Sequence, residues 1–323
     1  MRKKITGYLK KLLPFIGIII FIYIIYQLDF EEIKISFLSI QPIFIFISLL
    51  LTFPRILIRN YSWQLILKGQ NIQISYPTSL KILLIGYFYG TITPGYFGKL
   101  AQVIYLKDKT NNPYGKLFVN TMIESIIHTL PIYAMLIVGA FIILDYIPML
   151  FNIIIGYLLI LAIILFYFIK KERGERLFFA LIKFLIPKKS RLGLERFVQT
   201  FYDDFPKLRI LIIPFFLGVI IRIIIFSQYY IFIIALGLDI PYLYFLFLFP
   251  AANAASLIPI TFAGLGVREL SAIIIFSTLF GVSESEIFVI SLIGFIVTDI
   301  ITGLYGFILS LTETGLEKSI KFS

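Results

Sequence analysis

The chain has 323 residues, 59% of them apolar and 15% charged, with a mean hydropathy of +0.97 and a formal net charge of +11. A soluble domain of this size carries about 45–50% apolar and about 25% charged residues, so a water-soluble enzyme, a disordered chain and a disulfide-stapled secreted domain are excluded. With no cysteine and one histidine, His128, there is no thiolate chemistry and no histidine cluster for a transition metal, and no cofactor is expected.

A helix needs roughly 17–25 mostly apolar residues to cross a bilayer. The first such run, 12–28, follows Arg2, Lys3, Lys4, Lys10 and Lys11. It has the charge of a signal peptide but no small-residue cleavage site, and reads as an anchor. Asp29, Glu31 and Glu32, with the single Lys34, come next, and the second run is 43–67. From there to 116 stand Lys68, Lys81, Lys99, Lys107, Lys109 and Lys116, around an apolar stretch at about 78–107 that is broken midway at Pro94, Gly95 and Gly98. Runs 117–144 and 149–169 flank Asp145. Residues 170–209 carry eleven basic and five acidic residues. Within them Leu177, Phe178, Leu181, Ile182 and Leu185 fit one face of a helix lying on anionic headgroups; the other reading is a plain solvated loop. Run 210–236 is followed by Asp239 and by a second broken stretch at about 242–280, with Pro259, Gly264 and Gly266. The last run, 286–311, has Glu284 and Glu286 at its start, and the tail carries Lys318 and Lys321.

In a nucleic-acid binder a positive excess would form one soluble face. Here it is spread over alternate connections, so a membrane is expected as the partner and nucleic acid is not. Basic residues stay on the cytoplasmic side, and the alternation is consistent only if the two broken stretches enter and leave on one face. The expected fold is therefore an all-α polytopic membrane protein with six crossings and two re-entrant helical hairpins, both termini cytoplasmic, in the plasma membrane. Segments 43–144 and 210–311 align at an offset near 167, which places Arg55 on Arg222 and Gly139 on Gly306. Each unit reads as span, broken hairpin, span, with opposite topology, as in many transporters built from inverted repeats. The other reading of this alignment is chance similarity between Ile- and Phe-rich segments. Around the units lie an anchor and amphipathic connection at 1–42, a linking span and basic loop at 145–209, and a tail at 312–323.

Ionisable groups inside a membrane are costly and need a partner or a wet cavity. Arg55, Arg59 and Trp63 share a helix stripe. Arg222 is central in the fifth run, Glu124 and His128 share a face of the third, and Asp299 is midway along the last. Lys99 and Arg268–Glu269 follow the two breaks. Bland readings stand beside these: Arg59 and Trp63 as interfacial anchors, Arg222 in a structural ion pair with Asp299 or Glu269, His128 as a satisfied buried imidazole, Asp299 as a local cap. After Gly95 and Gly98, and again after Gly264 and Gly266, a helix restarts. Free amides at a helix N-terminus suit an anion, most simply a phosphate; the alternative is that Pro and Gly only make the turn. There is no G-x-x-x-x-G-K-[ST] run, so the chain carries no ATP motor.

Arg55-x-x-x-Arg59-x-x-x-Trp63, Pro94 to Leu106, and Pro259 to Leu270 with the core Gly264-Leu265-Gly266-Val267-Arg268-Glu269 resemble the lysylphosphatidylglycerol synthase transmembrane-region family of flippase-like membrane proteins. The first hairpin departs from that family's L-P-x-R-x-G-E-x-x-R pattern, with Tyr96, Lys99 and Gln102 in the Arg, Glu and Arg places. In the family's E-R-x-x-D run, Glu124 remains while Ser125 and His128 replace the others. The resemblance implies movement of a lipid between leaflets. Bifunctional relatives add a soluble aminoacyl-transferase domain that these 323 residues lack, so lysine transfer to phosphatidylglycerol is not expected. Other relatives work with glycosyltransferases on polyprenyl-phosphate carriers.

The expected function is a flippase or scramblase for an anionic or phosphorylated lipid, a phospholipid or a polyprenyl-phosphate-linked glycolipid. Arg55, Arg59, Arg222, Arg268, Lys99, Gly95, Gly98, Gly264 and Gly266 would receive the headgroup. Glu124, His128, Glu269 and Asp299 would pair the cations or couple transport to protons. Two alternatives remain: a membrane enzyme or accessory subunit of a glycosyltransferase or lipid-modifying synthase, based on Glu124 and His128, and a scaffold that binds such a synthase.

Overall fold

The computed structural model describes residues 16–93, 95–169, 171–176, 199–257, 261 and 263–313. The described secondary structure is helical. Helix α1 (Ile16–Gln27) leads to α2 (Phe30–Ser39), where the Asp29 carboxylate accepts the amides of Glu31 and Glu32 and so caps the N-terminus. Pro42, free of any need to donate at a first turn, opens α3 (Pro42–Leu50). A break at Leu51 separates it from α4 (Thr52–Gly69). Ser75 caps α5 (Tyr76–Thr91), which ends in a turn and a short 3-10 segment, Phe97–Leu100, before α6 (Ala101–Lys109). Then come α7 (Tyr114–Ile143), α8 (Pro148–Ile169), α9 (Leu208–Ala235), α10 (Tyr242–Ser256), α11 (Val267–Phe280) and α12 (Glu284–Phe295). A π-helical turn, Ile296–Ile300, joins α12 to α13 (Ile301–Thr312).

Five of these segments are long and apolar enough to cross a membrane: Pro42–Gly69, Tyr114–Ile143, Pro148–Tyr167, Leu208–Ala235 and Glu284–Thr312. They match the second to sixth expected runs within a few residues. The expected first crossing at 12–28 appears as α1, whose 12 described residues are too few to cross alone. Residues 177–198, with the expected amphipathic face, and 314–323, with Lys318 and Lys321, lie outside the described residues. Helix α8 leaves Leu159, Ile160, Ile163 and Phe166 exposed. An apolar surface of this extent suits lipid and not water.

The two broken stretches are both helix–turn–helix hairpins, α5–α6 and α10–α11. Their turns meet. The Gly95 amide donates to the Thr261 carbonyl at 3.4 Å, and the Tyr96 hydroxyl donates to the Ala263 carbonyl at 3.3 Å. Tyr96 and Ala263 both have left-handed backbones, with φ of 58° and 47°, and stand 167 residues apart. The long helices exchange places around the hairpins: α13 packs on α5 and α7 packs on α10. Gly306 and Gly139 make these approaches possible. A Cβ added at Gly306 would lie 2.6 Å from the Leu84 carbonyl carbon, and one at Gly139 would lie 2.9 Å from that of Phe247. Outside this arrangement, α1 crosses the second turn, where a Cβ at Gly17 would meet the Thr261 side chain at 2.6 Å.

In an open helix Gly→Ala stabilises by roughly 1 kcal/mol. At Gly306 the sign reverses, because overpacking costs about 1–3 kcal/mol. Gly306→Ala is expected to lower the thermal midpoint in detergent, while Ala at Gly156, where a Cβ meets nothing within 4 Å, leaves it unchanged or raises it.

Candidate functional site

Behind the two turns the helices bury an unusual density of charge. Arg59 on α4 donates from Nε and Nη2 to Glu124 Oε1 on α7, at 3.1 and 2.9 Å. It also donates from Nη1 to the Tyr87 hydroxyl, and its guanidinium sits 4.8 Å from the Tyr87 ring centroid. Lys99, just past the first turn, pairs with Glu124 Oε2 and donates to Ser125 Oγ at 3.0 Å. One carboxylate is thus shared by two cations. In the second hairpin Arg268 and Glu269 pair with each other, Arg268 Nε reaching Glu269 Oε1 at 3.0 Å and Ser291 Oγ at 3.2 Å. Its guanidinium lies 4.3 Å from the Phe295 ring centroid.

Arg55 and Arg222 bind neutral acceptors. Arg55 Nη2 donates to the Thr298 carbonyl and to Thr302 Oγ1, both at 2.8 Å. The Thr298 carbonyl belongs to the π-helical turn Ile296–Ile300. Arg222 donates from Nε and Nη2 to the His128 carbonyl at 3.2 and 2.9 Å. Pro131, three residues on, lies inside α7 without ending it. Among the described residues neither arginine is in an ion pair.

These groups surround one cavity of about 380 Å³, within the usual size range of ligand pockets. Arg55, Arg59, Lys99, Arg222, Arg268 and Asp299 line it, with Gly95 and Tyr96 at the first turn. Its other flank is apolar, formed by Phe97, Leu100, Phe118, Met122 and Ile126. Phe97 and Ile126 are 65% and 39% exposed, so this flank continues to the outer surface of the bundle.

The structure brings all four expected arginines and Lys99 to one place, and it separates the glycines. Gly95 lines the cavity. The Gly98 amide is taken by Thr93 Oγ1 at 2.6 Å, Gly264 packs on Ser256, and the Gly266 amide donates to Glu269 Oε2 at 2.6 Å while its α-carbon faces α1. The Gly98 and Gly266 amides are therefore not free for an anion, and the charged groups that line the cavity are Arg, Lys and Asp side chains. Two of the bland alternative readings do not hold. Asp299 is not ion-paired with Arg222; its Oδ2 accepts from Thr298 Oγ1 at 2.7 Å. Trp63 is no interfacial anchor: it is fully buried and donates from Nε1 to Asn120 Oδ1 at 2.8 Å, and Asn120 donates on to Gln70.

His128 keeps the expected face with Glu124, its Nε2 at 3.9 Å from Oε1, and both ring nitrogens are buried without a partner. Sequence reasoning missed Tyr87, Ser125, Tyr229 and Asn253, all of which line the cavity. Tyrosine and serine are common in apolar helices, and only Asn253, in the run Ala251-Ala252-Asn253-Ala254-Ala255, stood out as a lone amide. Among the described residues no group of three or more His, Cys, Asp or Glu is placed to hold a metal ion.

Removing one partner of a buried pair leaves an uncompensated charge and costs about 3–5 kcal/mol. Glu124→Gln strands Arg59 and Lys99 together and is expected to lower thermal stability by that order. Ser125→Ala, which removes the hydroxyl that accepts from Lys99 and donates to the Thr121 carbonyl, should cost only about 1–2 kcal/mol. Equal midpoints for Glu124→Gln and the parent chain would contradict the pairing.

Comparison with known proteins adds two findings. The family described as "Lysylphosphatidylglycerol synthase TM region" matches residues 12–306. A UPF0104 membrane protein of Pyrococcus horikoshii, PH1989, is 27% identical over 126 residues, a segment covering 38% of this chain and 38% of that protein. The family match takes in both hairpins and every residue that lines the cavity. The chain belongs to the lysylphosphatidylglycerol synthase transmembrane-region family.

Proposed function

We propose that this protein moves an amphiphile with an anionic, phosphate-bearing head between the two leaflets, as a flippase or scramblase. The observation that carries the reading is the composition of the cavity. Five basic side chains meet there, and an apolar flank leads outward past Phe97 and Ile126. Arginine's planar fork matches phosphate oxygens, and the apolar flank suits a hydrocarbon chain. Glu124, the one carboxylate near His128, is engaged by Arg59 and Lys99 and is not free to act as a base. This favours a carrier over an enzyme.

The transport reading includes the finer architecture. The hairpin arms α5, α6, α10 and α11 have 16, 9, 15 and 14 residues. At 1.5 Å per residue these are about 24, 14, 23 and 21 Å, short of a hydrocarbon core of about 30 Å. That supports two re-entrant hairpins meeting inside the membrane. The offset of 167 that relates Arg55 to Arg222, Gly139 to Gly306 and Tyr96 to Ala263 supports an inverted repeat of units 43–144 and 210–311. With α1 as the sixth crossing, both termini lie in the cytoplasm and the chain sits in the plasma membrane. A membrane synthase or glycosyltransferase would make or consume the lipid that is moved.

Arg222→Ala should abolish movement of a fluorescent anionic phospholipid in proteoliposomes while the thermal midpoint stays within a few degrees of the parent's. An unchanged rate would remove the cavity from the mechanism.

A further inference from the structure

We propose that the cavity selects its lipid by head charge. It takes a phosphate head with two negative charges, a phosphomonoester or a diphosphate, in preference to a singly charged phosphodiester. The hydrocarbon chain leaves between the first hairpin and α7. This inference rests on the carrier reading and adds a substrate class to it.

The charged groups around the cavity do not cancel. Arg268 is matched one to one by Glu269. Glu124 serves both Arg59 and Lys99, which leaves one positive charge over. Arg55 and Arg222 are satisfied by carbonyl and hydroxyl oxygens, which leaves two more. Asp299 takes one away. Among the described residues, five cations against three carboxylates leave an excess of two. The helix N-termini contribute little, because Thr93 Oγ1 and Glu269 Oε2 occupy their amides.

Uncompensated charge in a low-dielectric site costs several kcal/mol per ion. A monoanion would leave one charge standing, and a dianion closes the balance. Donors remain to receive it. Arg55, Arg222 and Lys99 line the cavity, and their N–H groups can turn to a phosphate oxygen. The path of the chain follows from the apolar lining: Phe97 and Leu100 of the first hairpin and Met122 and Ile126 of α7 line the cavity, and Phe97 and Ile126 are exposed.

The test uses the full chain in phosphatidylcholine proteoliposomes at pH 8. A phosphomonoester, with its second ionisation near about 6, is fully dianionic there. Three head-labelled or chain-labelled dioleoyl probes are compared: phosphatidic acid, phosphatidylglycerol and phosphatidylcholine. The expected result is movement of phosphatidic acid at least about tenfold faster than phosphatidylglycerol, as expected for ~1.4 kcal/mol of preference, and none of phosphatidylcholine. Arg55→Gln, which lowers the excess to one, should bring the first two rates together. Equal rates for phosphatidic acid and phosphatidylglycerol in the parent chain, both lost in Arg222→Ala, would overturn the charge selection and leave the carrier reading standing. Movement of none of the three would overturn the carrier reading and this inference with it. Inorganic pyrophosphate in the medium is the soluble arm. Inhibition at concentrations matching the lipid's would mean that the cavity reads a free anion, and would overturn the assignment of the chain to the gap.

Discussion

The contact between the two hairpin turns organises everything else. The Gly95 amide meets the Thr261 carbonyl, and the Tyr96 hydroxyl meets the Ala263 carbonyl. Non-helical backbone at membrane depth has no water to satisfy it, so it must be buried in protein or line a wet cavity. Here each turn is partly satisfied by the other. Around the turns α13 approaches the α5 backbone at Gly306 and α7 approaches the α10 backbone at Gly139. Close helix approach through glycine suits a membrane, where helices gain nothing from apolar burial against lipid.

Within that frame the charges are arranged unevenly, and the unevenness matters more than their number. A buried ion pair is weak evidence for stability, because desolvation offsets much of its attraction. Arg268 and Glu269, matched and fully buried, have the form of a structural pair, and Glu269 also closes the N-terminus of α11 through the Gly266 amide. Arg55 and Arg222 differ: they are held by neutral oxygens and face the same space. Such an arrangement fixes the position of a cation without cancelling its charge, which is how a protein keeps electrostatic attraction available for a ligand.

Much of this was legible in the sequence where physics acts locally. The broken stretches at 78–107 and 242–280 correspond to α5–α6 and α10–α11, where clustered Pro and Gly favour a turn, although single Pro131, Pro214 and Pro250 sit inside helices. The long spans were visible from hydropathy, and the burial of Arg55, Arg59 and Arg268 and the half-burial of Arg222 from the rarity of such residues in apolar runs. Choice of partner was not legible. Glu124 lies 65 residues from Arg59 and 25 from Lys99, and nothing in the spacing tells which cation it serves. Asp299 was read midway along the last span, whereas it sits in a π-helical turn whose Thr298 carbonyl accepts from Arg55 and Thr302. Gly98, Gly264 and Gly266 looked like ligand-facing glycines because the same residue serves tight turns and close backbone packing equally well.

The central claim is that both hairpin turns lie inside the membrane beside a shared cavity. The chain has no cysteine, so single cysteines carrying spin labels can be placed without background. The most direct measurement is the depth of labels at Phe97 and Leu270, near the two turns, against Tyr114 and Leu243, at the bases of the hairpins. All four sites are surface-exposed. The account predicts that Phe97 and Leu270 contact dissolved oxygen at a depth well inside the hydrocarbon, while Tyr114 and Leu243 report opposite interfaces. Labels at Phe97 or Leu270 that behave as water-exposed, or bases that report the same interface, would contradict it.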